Sequence, residues 1–269
     1  MKIARGLAFL IGFIVVIAPA QTIAQQPVSR CVGIADTSPL FRYAAYQPIA
    51  LADDEVRISY VTHSTFRIES QNGVVIATDY AGYAGRGVMP DVITMNHAHE
   101  THYTDFPDPK IKHVLRGWNP EGGPARHDLR VSDVYIRNVP TDIRRWDIER
   151  EKDGNSIFVF EVAGLCIGHL GHLHHKLGPE HLGQIGQLDI VMVPVDGSFT
   201  MDQASMIEVL QALKARLILP MHAFGAVSLN TFLARLAEVF EVEFSETPTI
   251  VVSQETLPAK AKVLVMPGF

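Results

Sequence analysis

The chain has 269 residues, 47% of them hydrophobic, with 29 acidic against 23 basic side chains and a formal charge of −6. That balance argues against nucleic acid or an anionic membrane surface as the partner. Two cysteines, Cys31 and Cys166, exclude a disulfide-rich scaffold and leave two readings open: one bridge, or a buried thiol in the apolar run 165–167.

Lys2 and Arg5, the apolar run 7–17 and the small residues before Ala24 read as a secretory signal comprising residues 1–24. The run is too short for a comfortable bilayer span, so no stable membrane insertion is expected after its removal. The location this implies is periplasmic or secreted. Residues 25–52, with Pro27, Pro39 and Pro48 and no sustained period, read as a lead-in segment, and residues 53–269 as one domain.

Strands are expected at 57–61, 65–69 and 73–78, the last two joined by a turn at Gln71-Asn72-Gly73. The third ends in Asp79, which either caps a loop or orients a metal-bound histidine. A fourth apolar run, 91–95, stops in His97, His99 and His102. As residues i and i+2 of a strand end, His97 and His99 share a face and His102 returns from the following loop, so that three imidazoles converge. Strands at 112–116 and 134–139 follow, then a charged loop with Asp142, Arg144, Arg145 and Trp146, and a long strand at 156–162. Gly164 turns this strand into 165–168, which runs into His169, His172, His174 and His175.

Downstream, strand and helix alternate. The run 188–193 is a strand, Thr200 and Gln203 form a capping box, and Met206, Val209, Leu210 and Leu213 fall on one helical face. A strand at 216–219 ends at Pro220-Met221-His222; Leu229, Phe232, Leu233, Leu236 and Phe240 mark another helix; strands at 249–252 and 262–266 close the chain. The class is α/β with helices outside the sheets. Three strands that end in histidine, near 97, 169 and 222, point to one crevice at the strand ends.

In this order the motifs His63-Ser64-Thr65-Phe66, Asp79, His97-x-His99-x-x-His102, Asn155-Ser156, His169-Leu170-Gly171, Pro194-Val195-Asp196-Gly197 and Pro220-Met221-His222 carry a resemblance. The chain resembles the metallo-β-lactamase fold superfamily, and within it the lactonase-like metal-dependent hydrolases similar to L-ascorbate-6-phosphate lactonase. The resemblance implies a four-layer αββα sandwich with a two-metal site at the edge shared by both sheets. Three family ligands differ here: Thr101 stands where the family has a metal-binding Asp, His172 where it has a bridging Asp, and no histidine occupies the loop around Thr141-Asp142.

Two divalent ions close together are tolerable only with anionic ligands between them, and two such ligands are missing. The expected centre therefore holds one ion, zinc first, with copper, nickel and cobalt also suited to imidazole. Its expected ligands are His97, His99, His102, His172 and His222. The resulting expectation is a hydrolase acting on a small-molecule ester-like bond, a lactone or phosphoester, through a metal-held hydroxide, with Asp142, Glu100 or His175 handling the proton. The competing expectation is a non-catalytic metal-binding or partner-binding protein that keeps the fold. His63 is placed at the rim of the crevice, His169 either in the core or on the metal, and Asp196-Gly197 in a strand-end turn.

Overall fold

The computed structural model describes residues 29, 31–32, 51–144 and 150–268. The signal segment, most of the lead-in, Arg145 and Trp146 lie outside the described residues.

The chain begins with an antiparallel set: β1 (Val56–Thr62), β2 (Thr65–Ser70) and β3 (Val75–Ala77), followed by the parallel pair β4 (Val92–Met95) and β5 (His113–Arg116). Next come β6 (Asp128–Val131), β7 (Val134–Ile143), β8 (Glu151–Val162) and β9 (Leu165–His169), a meander of antiparallel strands. The rest alternates: α1 (Pro179–Ile185), β10 (Ile190–Pro194), α2 (Gln203–Leu213), β11 (Leu217–Met221), α3 (Ala226–Leu236), β12 (Glu241–Phe244), β13 (Thr249–Val252) and β14 (Lys262–Val265). Two sheets result, of order β13-β1-β2-β3-β4-β5 and β12-β14-β11-β10-β9-β8-β7-β6.

The period-2 pattern explains the layering. In β8, Phe158 and Phe160 join Ile58, Phe66 and Ile76 of the other sheet in a core between the sheets, while Ile157 and Val159 face the opposite way. In β10, Ile190 and Met192 face inward, and Val191 and Val193 meet Met206, Leu210, Phe232 and Leu236 of α2 and α3. The eight-stranded sheet is thus covered by helices. Among the described residues the outer face of the six-stranded sheet is covered by loops instead, with Tyr80, Ala84 and Ile111 packed on Ile93 and Met95.

Several sequence expectations shift. β7 runs through Pro140 to Ile143, so Asp142 sits in a strand and not in a loop. Proline is accommodated because β6 pairs with β7 only from Val134 to Arg137, leaving no ladder partner on that side of Pro140. The cap of α2 is Asp202, whose side chain accepts from Ser205 N at 3.0 Å; Thr200 instead donates to Asp196 Oδ1.

The cysteines are joined: Cys31 and Cys166 form a disulfide across 135 residues of sequence. It fixes the segment around Cys31 to β9, where Cys31 O also accepts from Gln187 N at 3.1 Å. Beside it the buried Arg137 donates to Gln184 O and Ile185 O, closing the end of α1, and pairs with Glu161, which also accepts from Ser29. A cross-link closing a loop this long restricts the unfolded chain strongly. Cys31→Ser with Cys166→Ser, or reduction, is expected to lower unfolding stability by about 2–4 kcal/mol, read by denaturant melts.

Candidate metal centre

β4, β9 and β11 end on the same side of the molecule, and the turn between β1 and β2 meets them there. Two buried asparagines hold this seam. Asn96 donates to Asp79 Oδ1 at 2.7 Å and accepts from Ser156 N across the sheets; Asn155 accepts from His172 N and donates to Thr141 Oγ1 and Leu170 O. Gly171, at φ +58°, is wedged against both: a Cβ there would lie 2.4 Å from Asn155 Oδ1 and from Asn96 Nδ2. Only glycine tolerates both that conformation and that approach.

Four imidazoles meet at the seam. One ring nitrogen each of His99, His102, His172 and His222 lies within 4.8 Å of the others, and all but His99 are buried. The Nε2 atoms of His102 and His222 are 3.0 Å apart, as are those of His99 and His172. Each ring is held from behind through Nδ1. His102 Nδ1 is 2.7 Å from Asp79 Oδ2, and His222 Nδ1 is 3.0 Å from Asp196 Oδ1. Thr101 Oγ1 lies 2.8 Å from His99 Nδ1. Thr101, which stands where the resembled family has an acidic ligand, thus holds the His99 ring.

His172 is held differently, by His174 Nε2 at 2.5 Å, while Arg144 Nε donates to His174 Nδ1 at 3.3 Å. With Arg144 as donor, His174 carries its proton on Nε2 and gives it to His172 Nδ1, so the proton of a neutral His172 sits on the inward Nε2. His172 ligates a metal only after shifting that proton.

Burial, then repulsion from neighbouring imidazoles, holds His99, His102 and His172 below the ordinary histidine pKa, so these rings are neutral at pH 7. Burial alone would raise Asp196, but hydrogen bonds from His222, Thr200 and Ser198 outweigh it and keep the carboxyl well below the usual range. Burial raises Asp79, against the pull of His169, Asn96 and His222. His222 Nδ1 therefore donates to an ionised Asp196, which leaves Nε2 as the atom that faces His102. Two lone pairs cannot face each other at 3.0 Å; a proton carried on Nε2 of one ring, or a metal ion, has to lie between His222 and His102. Neutral nitrogen donors backed by carboxylates fit a borderline transition metal such as zinc.

The backbone is strained at the same point. Among the described residues seven non-glycines have positive φ, and three of them, His63, Asp79 and His222, are here.

His97 lies outside this group. β4 stops at Met95, so the strand alternation that would have aligned His97 with His99 is absent. Its Nδ1 pairs with Glu151 at 2.8 Å and its ring stacks on Trp118 at 4.8 Å. Asp142 and His175 are also engaged elsewhere: Asp142 accepts from Asp153 N and pairs with Arg150, and His175 accepts from Asp142 N and lies 2.9 Å from Lys176 O through Nδ1. His169 spends both nitrogens on Ser64 O and Gly171 N, which makes it a core residue. Sequence reasoning passed over Asp196 as a turn residue and did not single out Asn96; the Asp196 carboxylate shortly after a strand end was the available signal.

Two outcomes follow for solution. His63 and His174 are pushed from 6.5 to about 4, chiefly by burial. A histidine that is neutral when folded and protonates on unfolding stabilises fully above its unfolded pKa and loses that contribution as pH falls to its folded one. The metal-free protein should therefore lose thermal stability between about pH 6.5 and 4, with Asp79, raised when folded, working in the opposite sense. Zinc binding at pH 7 should release protons, seen as a buffer-dependent calorimetric enthalpy, because the ion displaces the proton held between His102 and His222.

The profile of the beta-lactamase superfamily domain matches residues 57–222. A metal-dependent hydrolase of Archaeoglobus fulgidus is 23% identical over 200 residues, covering 62% of this chain and 83% of the relative, and one of Pyrococcus abyssi is 24% identical over 193 residues, covering 62% and 84%. Among solved structures, a candidate zinc-dependent hydrolase of the metallo-β-lactamase superfamily from Thermotoga maritima superposes with a TM-score of 0.56 at 27% identity, over 78% of this chain and 98% of that one. The metallo-hydrolase Igni18 of Ignicoccus hospitalis shares the fold, with a TM-score of 0.54 at 19% identity over 74% and 99% of the two chains. With its two facing sheets, its histidine-bearing strand ends and this match over most of the domain, the chain belongs to the metallo-β-lactamase superfamily.

Proposed function

We propose that this protein is an exported metal-dependent hydrolase that uses one ion, zinc by preference, to cut a small ester-like bond, a lactone or a phosphoester. The observation that carries the reading is the pair of buried Nε2 atoms of His102 and His222, 3.0 Å apart and backed by carboxylates. The names of the relatives as metal-dependent hydrolases support it. Export is supported by the signal-like residues 1–24 and by the Cys31–Cys166 bridge, since disulfides persist in oxidising compartments.

When bound, such an ion supplies Lewis-acid activation of water and of a substrate oxygen. His99, His102 and His222 would hold it, and His172 completes the nest. Asp79 and Asp196 fix ring orientation and sharpen the basicity of the inward nitrogens. Asp142 and His175 are not placed for proton handling. Glu100, on the wall of the cavity beside the nest, is the carboxylate we assign to that role.

A second reading, metal binding without catalysis, is favoured by one observation: four imidazoles can close a tetrahedral sphere, as structural zinc sites do. One experiment separates the two. Zinc titration with metal analysis is expected to give one ion per chain. His102→Ala and His222→Ala should lose it, His97→Ala should retain it, and His172→Ala should lose less affinity than either of the first two. The loaded protein should hydrolyse lactones or phosphoesters, and His222→Ala should not. Full zinc loading with no turnover across both classes would establish the non-catalytic reading; two ions that require His97 would overturn the single-ion centre.

A further inference from the structure

Beside the nest lies a cavity of about 650 Å³, a volume suited to a small organic ligand. Three of its wall residues are aromatic: Tyr83, Tyr103 and Phe106. Tyr83 and Phe106 are exposed, at 52% and 91%. Its charged lining is Glu100 and Asp105, and among the described residues no lysine or arginine lines it. Outside the cavity lining, exposed Phe224 packs 5.3 Å from the His63 ring and 5.0 Å from Phe199. Large apolar side chains exposed on and near a cavity wall mark a surface built for an apolar ligand.

His63 belongs to both cavity and nest. It lines the cavity, and its ring packs 4.1 Å from that of His222 and 5.5 Å from that of His102. Its backbone is fixed in a left-handed conformation at φ +44°, with its carbonyl accepting from Tyr60 Oη at 3.0 Å and from His222 N at 2.8 Å. Yet His63 Nε2 is buried and has no hydrogen-bond partner, and it is the one such side-chain atom among the described residues. A buried polar atom left unpaired in a strained, over-determined position calls for a partner that the chain does not provide.

We infer that the cavity binds a neutral aromatic carboxylic ester or lactone, and that the His63 ring, which lines the cavity, turns so that Nε2–H donates a hydrogen bond to its carbonyl oxygen. The inference rests on the hydrolytic reading above and decides between its two substrate classes. Phosphoester recognition draws on guanidinium, ammonium or convergent backbone donors, and this wall offers two carboxylates that repel an anion. Thr101 completes the link, since it lies on the cavity wall and also holds His99 Nδ1. Hydrolysis here breaks the acyl–oxygen bond, with water supplying hydroxyl to the acyl carbon and a proton to the departing oxygen.

The zinc-loaded full chain is assayed with 4-nitrophenyl phenylacetate and 4-nitrophenyl phosphate, which release the same chromophore. Binding of phenylacetamide and of phenyl phosphate is measured by calorimetry on the same preparation. The ester should exceed the phosphate in kcat/KM by about 100-fold, even though a phosphate coordinates zinc well by itself. Phenylacetamide should bind about tenfold more tightly than phenyl phosphate, and His63→Ala should weaken it by about tenfold at unchanged zinc content, with His63→Gln recovering part. Asp105→Asn should narrow the preference. Phosphate handled as well as the ester, or amide binding indifferent to His63, would overturn the inference. Amide binding that depends on His63 without ester turnover would uphold the pocket and overturn the hydrolytic reading, so the two failures are distinct.

Discussion

The centre of this molecule is governed by one constraint: two buried imidazole nitrogens, on His102 and His222, held 3.0 Å apart and facing each other. Such an arrangement is stable only with a proton on one ring or a metal ion in the gap, and neighbouring structure is organised to impose it. Asp79 and Asp196 hold the outer nitrogens, Asn96 anchors Asp79, and the turn at His63 accepts the backbone N–H of His222. The positive φ values of His63, Asp79 and His222 show that the backbone itself is bent to keep these groups in place.

The departures from the family pattern acquire a common meaning on this basis. Thr101 supports a ring in place of binding metal, and His172 looks outward to His174 and Arg144 instead of contributing a bridging carboxylate. His97, released from ligation, is locked by Glu151 and Trp118. Negative charge is lost from between the metal positions and kept behind the rings. A single ion benefits from that change, because carboxylates behind imidazoles strengthen them as donors, whereas a second ion would have lost the anions that shielded it.

Much of the fold was legible in the sequence because β8, β10 and β11 carry unbroken apolar runs and α2 and α3 carry clear helical stripes. β6 and β12 were not, and both are edges of the eight-stranded sheet. Edge strands are half solvated, so a neighbour's ladder fixes them more than their own side chains do. α1 buries only Ile185 and is closed by Arg137 from 48 residues away, a contact without a local signature. The site was legible as a convergence of histidine-ended strands, and His99, His102, His172 and His222 do meet. What misled was the assumption that β4 carries its alternation through His97, when it ends two residues earlier. Asp196 as a clamp and the orphaned nitrogen of His63 depend on contacts across the fold, which spacing along the chain does not encode.

The most direct test is a crystal structure of the zinc-soaked protein with anomalous scattering measured on both sides of the zinc edge. The account predicts one zinc peak with His99, His102 and His222 nitrogens at about 2.0–2.1 Å and His97 still against Glu151. Two peaks, or one peak bound by His97 away from His102 and His222, would contradict it.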